Sequence, residues 1–198
     1  MPKVFNAAVE GYPDEAALYK LCEACHISLD FVAVKRGKGN LDKQLAAYNN
    51  AATAFPWIVL RDLDTDAPSA CELVQKLLPN RSKYMLFRIA VRSIESWFLA
   101  DRKSIAEFLH VSLDLIPRQV DQLIDPKQTM LNLARRSRTR ALRIDMVGNT
   151  PPGSRKEGPA YASRLIEFAL YKWQPIVAAQ GSESMQRCLV RLTEAEGW

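Results

Sequence analysis

Three carboxylates alternate along Asp62-Leu63-Asp64-Thr65-Asp66, directly behind the apolar run Trp57-Ile58-Val59-Leu60. An apolar run of this kind, entered by Pro56 and leaving into charge, reads as a buried strand that ends at a polar site. In extended chain, residues two apart project from the same face, so Asp62 and Asp64 can point together while Leu63 turns into the packing. Paired carboxylates suit a hard divalent cation: Mg²⁺ takes oxygen ligands, keeps several waters, and is typically held by one or two carboxylates together with substrate phosphate oxygens. A solvated acidic turn closing a strand would use the same letters. The D-x-D pattern by itself leaves both readings open.

The elements that must position these acids follow a strand-helix alternation. Residues 3–9 form a short apolar strand, Glu10-Gly11 stands at its carboxyl end, and Tyr12-Pro13-Asp14 turns into a helix near Asp14 or Glu15, with Asp14 suited to capping it. A second strand over 31–34 runs into the basic glycine loop Lys35-Arg36-Gly37-Lys38-Gly39-Asn40 and a helix over 41–53. The loop lacks Walker A spacing, so it is either an ordinary connection or a phosphate contact made through Lys38. The third strand is the Trp57 run, followed by a helix over 67–78, and residues 84–90 form the fourth strand. Strands alternating with helices predict an α/β fold with a parallel four-stranded sheet flanked by helices. Right-handed crossovers return every strand's carboxyl end to one edge, where ligands bind, so Glu10 shares an edge with Asp62 and Asp64. Arg92 and Glu95 follow the fourth strand at that same edge. Glu95 is either a further metal ligand or a first-turn acid that complements a helix dipole.

After about residue 101 the strand signals stop. Helical patterns over 103–109, 117–123, 126–137, 140–146, 160–173 and 184–195 predict a C-terminal all-helical elaboration (102–198) packed on the α/β core (1–101), without a linker to separate them. Residues 148–159 are the most loop-like stretch and carry Arg155 and Lys156. Net charge is +5, but Arg135, Arg136, Arg138, Arg140 and Arg143 fall within nine residues that contain no acid, so the positive charge is concentrated. Such a run is either a solvated face or a track for a nucleic-acid backbone. Hydrophobic content of 48% with 25% charge indicates a folded soluble protein, and no apolar stretch approaches membrane-span length, which predicts a cytoplasmic chain with no membrane partner. Cys22-Glu23-Ala24-Cys25-His26 matches the letters of a haem or redox motif, but its helical spacing predicts buried helical cysteines instead. Neither His26 nor His110 has a visible partner for catalysis.

The set Val9-Glu10-Gly11, Asp62-Leu63-Asp64 and the alternating strands resembles the TOPRIM fold of topoisomerases, primases and OLD-type nucleases, over about the first hundred residues. Tyr12-Pro13-Asp14-Glu15, Glu95-Ser96-Trp97-Phe98-Leu99-Ala100-Asp101, Gly158-Pro159-Ala160-Tyr161 and Trp173 resemble a narrower, uncharacterised bacterial TOPRIM-like family associated with mobile or defence gene neighbourhoods. That resemblance implies Glu10 as general base or metal ligand, and Asp62 and Asp64 as ligands of Mg²⁺ or Mn²⁺. Asp66 fits an extended D-x-D-x-D form and Glu95 a second-metal position, while Asp14, rather than Glu, stands four residues after Glu10. The implied activity is metal-dependent phosphodiester hydrolysis of nucleic acid, DNA ahead of RNA. Lys38, Arg88, Arg92, Arg155 and Lys156 are the candidate phosphate-facing groups, and Arg135, Arg136 and Arg138 are candidates for the backbone track. The alternative is a TOPRIM-like module that binds nucleic acid or a partner and has lost the chemistry.

Overall fold

The computed structural model describes residues 4–151 and 153–195; Lys3, assigned above to the first strand, lies outside them. Four strands, β1 (Val4–Val9), β2 (Ser28–Val34), β3 (Trp57–Asp62) and β4 (Met85–Ala90), form one sheet in the order β2-β1-β3-β4. Every pairing is parallel. Helices α1 (Tyr12–Ala24), α2 (Lys38–Ala51) and α3 (Ala70–Leu77) make the crossovers. Then follow α4 (Ile94–Ala100), α5 (Arg102–Leu109), α6 (Pro126–Arg135), α7 (Arg140–Val147), α8 (Tyr161–Tyr171), α9 (Pro175–Ala178) and α10 (Glu183–Ala195). The expected α/β architecture with a helical C-terminal part is the one observed.

Strand alternation sorts side chains into two unequal cores. Ala8, Val59, Phe87 and Ile89 face α2 and α3, while Val9, Leu60, Leu86 and Ala90 face α1 and the later helices. On that second side the apolar cluster runs without a break from α1 through Trp97 and Phe98 into Leu165, Phe168 and Leu192, so the helical part and the sheet share one core. Trp97 is fully buried and donates from Nε1 to Ser184 Oγ at 2.8 Å, and Trp173 Nε1 donates to the Trp97 carbonyl at 3.2 Å. A buried indole keeps its N–H satisfied in this way.

Local signals account for most boundaries. Asp125 accepts from Gln128 N ahead of Pro126 at the start of α6, and Asp101 accepts from Ser104 N at the start of α5. Three expectations need correction. The cap of α1 is Gly11, not Asp14: the helix begins at Tyr12 and Asp14 sits at its third position, reaching back to accept from Gly11 N at 3.1 Å. Residues 117–123 are not an α-helix; two short 3₁₀ turns, Leu113–Leu115 and Val120–Gln122, occupy this region, with the Arg102 guanidinium bonded to the Leu113 and Ile116 carbonyls. Strand β3 stops at Asp62, and Asp64 adopts φ +48°, so the two-residue alternation invoked for Asp62 and Asp64 does not extend through the motif. No helix among the described residues is long and apolar enough to cross a membrane.

Candidate metal centre

The strand order places β1 between β2 and β3, with Val9 in register with Leu60. Glu10 and Asp62 therefore leave adjacent strands at the same edge, and Glu10 Oε1 accepts the Asp62 backbone N–H at 2.9 Å. Asp62 Oδ1 in turn accepts from Ile94 N, the first residue of α4, at 2.9 Å. Next along α4, Glu95 is buried. Its Oε2 accepts from Ser93 Oγ at 2.6 Å and its Oε1 from the Tyr161 hydroxyl of α8 at 3.0 Å. Asp14, one turn into α1, is 5% exposed; its Oδ2 takes the Gly11 N–H, and its Oδ1 is buried without any hydrogen-bond partner.

These acids perturb one another. Burial, then the charges of Asp14, Glu95, Glu10 and Asp64, push the Asp62 carboxyl well above the usual carboxylate range. Burial, then Glu10 and Glu95, raise Asp14 to about 8. Burial raises Glu10 to about 7 against the opposing pull of the Asp62 N–H and the Arg61 cation. Burial and the neighbouring Glu95 likewise lift the Tyr161 phenol. Taking several carboxylates out of water together disfavours their ionisation unless a cation joins them.

Around this cluster lies a layer of compensated charge. Arg61, 2% exposed, grips Asp42 through Nε and Nη2 at 3.1 and 2.9 Å and reaches Asp66 at 2.7 Å. Lys38, the first residue of α2, bonds Asp64 at 2.8 Å and Asp66 at 3.0 Å. Asp66 is consequently held below its ordinary range by Lys38 and Arg61, which outweigh burial. Arg92 Nη1 donates to the Asp64 carbonyl at 2.9 Å. Asp62, Glu10 and Glu95 thus come together with Asp14, whereas Asp64 and Asp66 face basic side chains.

The remaining basic candidates are dispersed. Arg88 is half-buried on the side of β4 facing α10, where its charge meets Cys188 and Arg191, away from the acids. Arg155 is exposed and pairs with Asp125 at 2.8 Å, and Lys156 is exposed in the loop before α8. Arg135 is tied to Asn132, Thr150 and Ser154, while Arg136 and Arg138 are exposed beyond the end of α6. Cys22 and Cys25 are buried, which agrees with the packing reading of the C-x-x-C stretch.

Two members of the cluster carried no functional weight in the sequence. Asp14 had a signal: an acid at the third helical position, with glycine at the cap, folds back toward the strand end that carries Glu10. Tyr161 entered only through the resemblance of the Gly158-Pro159-Ala160-Tyr161 stretch, and nothing tied it to Glu95, 66 residues away. Its placement depends on Gly158, where an added Cβ would stand 2.5 Å from the Asp145 carbonyl oxygen and 2.6 Å from Val147 N. Only glycine lets α8 start this close to the end of α7.

The donor set at the edge is all oxygen, carries excess negative charge and includes the orphaned Asp14 Oδ1; that chemistry fits a hard divalent cation such as Mg²⁺ or Mn²⁺. Among the described residues, no group of three or more His, Cys, Asp or Glu side chains is arranged closely enough to hold a metal ion as it stands. Fold and edge together define an α/β protein with an acidic cluster at the carboxyl ends of a parallel sheet. No protein-family model, curated protein or solved structure matches the chain.

Proposed function

We propose that this protein is a metal-dependent phosphodiester hydrolase acting on nucleic acid, of the TOPRIM type. The observation that carries the proposal is the environment of Asp62: Asp14, Glu95, Glu10 and Asp64 all act on it with negative charge, and its own Oδ1 is met only by a backbone N–H. A cluster kept in this state suits a cation better than it suits stability. Glu10, Asp14, Asp62 and Glu95 are the residues to hold Mg²⁺ or Mn²⁺, which when bound supplies charge stabilisation to phosphate oxygens and acidifies a water. Glu10, its carboxyl fixed by the Asp62 N–H, is placed either to join these ligands or to accept a proton from that water. Lys38 and Arg92, both bound at Asp64, border the acids and are the groups nearest at hand for a phosphate. Arg61 serves as the buried anchor that pairs with Asp66 and Asp42 beside them.

The test is cleavage of labelled single- and double-stranded DNA and RNA by purified protein with Mg²⁺ or Mn²⁺. Asp62→Asn and Glu10→Gln are each expected to lower the rate at least about a hundredfold; cleavage that survives both changes refutes the proposal. A second reading, a nucleic-acid-binding module without turnover, draws support from the Lys38 pairs to Asp64 and Asp66, which leave those two acids already neutralised. It predicts salt-sensitive binding that Asp62→Asn leaves unchanged.

A further inference from the structure

Away from the acidic edge, α7 presents Arg140, Arg143, Ile144 and Val147 at helical spacing on one face. With Arg135 from the end of α6 and Thr150 from the following turn, they line a recess of about 290 Å³. Among the described residues, no acidic side chain lines it. Arg135 donates from Nη1 to Asn132 Oδ1 at 3.0 Å, and from Nη2 to Thr150 Oγ1 at 3.2 Å and the Ser154 carbonyl at 2.7 Å. Its Nε is buried and has no acceptor. Arg143 donates to the Ser137 carbonyl. For Arg140 the described residues show neither a hydrogen bond nor an ion pair, and none of the three arginines has a carboxylate partner among them. The acid on the same helix, Asp145, is engaged by Arg164 at 2.6 Å.

Three guanidinium groups around one small recess repel one another, and the buried Arg135 Nε–H is a donor awaiting an acceptor. A tetrahedral oxyanion in the recess would relieve the repulsion, since guanidinium groups match phosphate oxygens in charge and in fork geometry. Ile144, 45% exposed, and Val147 add an apolar wall beside the arginines, suited to a sugar or base rather than to a bare ion alone. We propose that this recess binds a phosphoryl anion: a phosphodiester of nucleic acid, or the phosphate of a free nucleotide or pyrophosphate. Glu10, Asp14, Asp62 and Glu95 do not line this recess, so the proposal stands whether or not the acidic edge turns over substrate.

The experiment is binding in EDTA, where no metal-dependent cleavage interferes. Fluorescence anisotropy of a labelled 12-mer DNA and a 12-mer RNA is followed across a KCl series, and pyrophosphate is followed separately by ³¹P line broadening. Arg140→Gln, at an exposed position with no partner to lose, is the variant; Arg187→Gln on α10, also exposed, controls for net charge. Arg140→Gln is expected to weaken oligonucleotide binding about tenfold at low salt and to reduce the slope of log K against log salt by about one, with Arg187→Gln close to wild type. Loss of pyrophosphate broadening in Arg140→Gln without oligonucleotide binding by wild type would also support the recess and assign it to free phosphoryl ligands. Equal affinity and slope in wild type and Arg140→Gln, equal losses in both variants, or no binding of either probe would overturn it. Cleavage in the Mg²⁺ assay would be unaffected as evidence by any of these results.

Discussion

Replacing Asp14 by Asn tests the electrostatic account of the acidic edge without any substrate. Asp14 titrates at about 8 instead of its ordinary 3.8, and Glu10 at about 7 instead of 4.5, in both cases mainly through burial. At these two groups the folded protein therefore holds up to two protons between pH 5 and 7 that the unfolded chain has released, and the raised Asp62 carboxyl acts in the same direction. Stability falls with rising pH wherever the folded state binds more protons, by about 1.4 kcal/mol per pH unit for each. From Asp14 and Glu10 the wild type should thus lose up to about 3 kcal/mol per pH unit across this window, and about half of that once water penetration and relaxation of the coupled acids are allowed for. Below about pH 3 both states are protonated and the loss vanishes; above about pH 9 both are ionised and no further loss accrues. Asn at position 14 keeps an oxygen for the Gly11 N–H, removes one of these protons and takes away a charge that raises Asp62, so its slope between pH 5 and 7 should be shallower than that of wild type by up to about 1.4 kcal/mol per pH unit. Urea unfolding at pH 5, 6, 7 and 8 in chelator measures both slopes, and the difference cancels the background from ordinary carboxylates. Saturating Mg²⁺ at pH 8 should raise wild-type stability by about 3 kcal/mol at a hundred times its dissociation constant. Wild-type stability that is flat or rises from pH 5 to 7 in chelator, or a variant whose slope equals that of wild type, would refute the account.

Two further outcomes follow from packing and burial. Gly158→Ala drives a Cβ into the backbone of residues 145–147, at 2.5 to 2.7 Å, and should cost about 2–3 kcal/mol in urea unfolding while weakening the Tyr161 bond to Glu95; a loss below about 0.5 kcal/mol would mean that α7 and α8 separate freely. In native protein at pH 8, a thiol reagent should modify Cys71 rapidly and leave Cys22, Cys25 and Cys188 protected until urea exposes all four. Burial raises Cys188 to about 11 and Cys22 higher still, so rapid labelling of more than one thiol would contradict the packing of α1 against α10.

Much of the architecture is written in local patterns. The apolar runs ending at Val9, Val34, Asp62 and Ala90, alternating with helices, were enough for a parallel α/β sheet, because strand pairing and crossover handedness obey chain-local sterics. The start of α6 at Pro126 was legible for the same reason, whereas the helix expected over 67–78 begins only at Ala70, behind a cap at Ser69. The placement of Glu10 beside Asp62 followed from a shared sheet edge, although their direct contact depended on a strand order that the sequence did not state. Residues 117–123 misled, since helical spacing does not reveal that Arg102 will occupy the carbonyls of the neighbouring turns.

What the sequence by itself determined is which acids reach the carboxyl edge of the sheet. Tertiary structure decided which of them are left in want of a cation. Lys38 and Arg61 satisfy Asp64 and Asp66 from α2 and β3, while Asp14, Asp62 and Glu95 face one another beneath α1, α4 and Tyr161. In the same way, five neighbouring arginines in the chain divide into two that extend into solvent and three that line a recess. Desolvation and Coulomb interaction act through distance in space and exclusion of water, and neither is a property of separation along the chain.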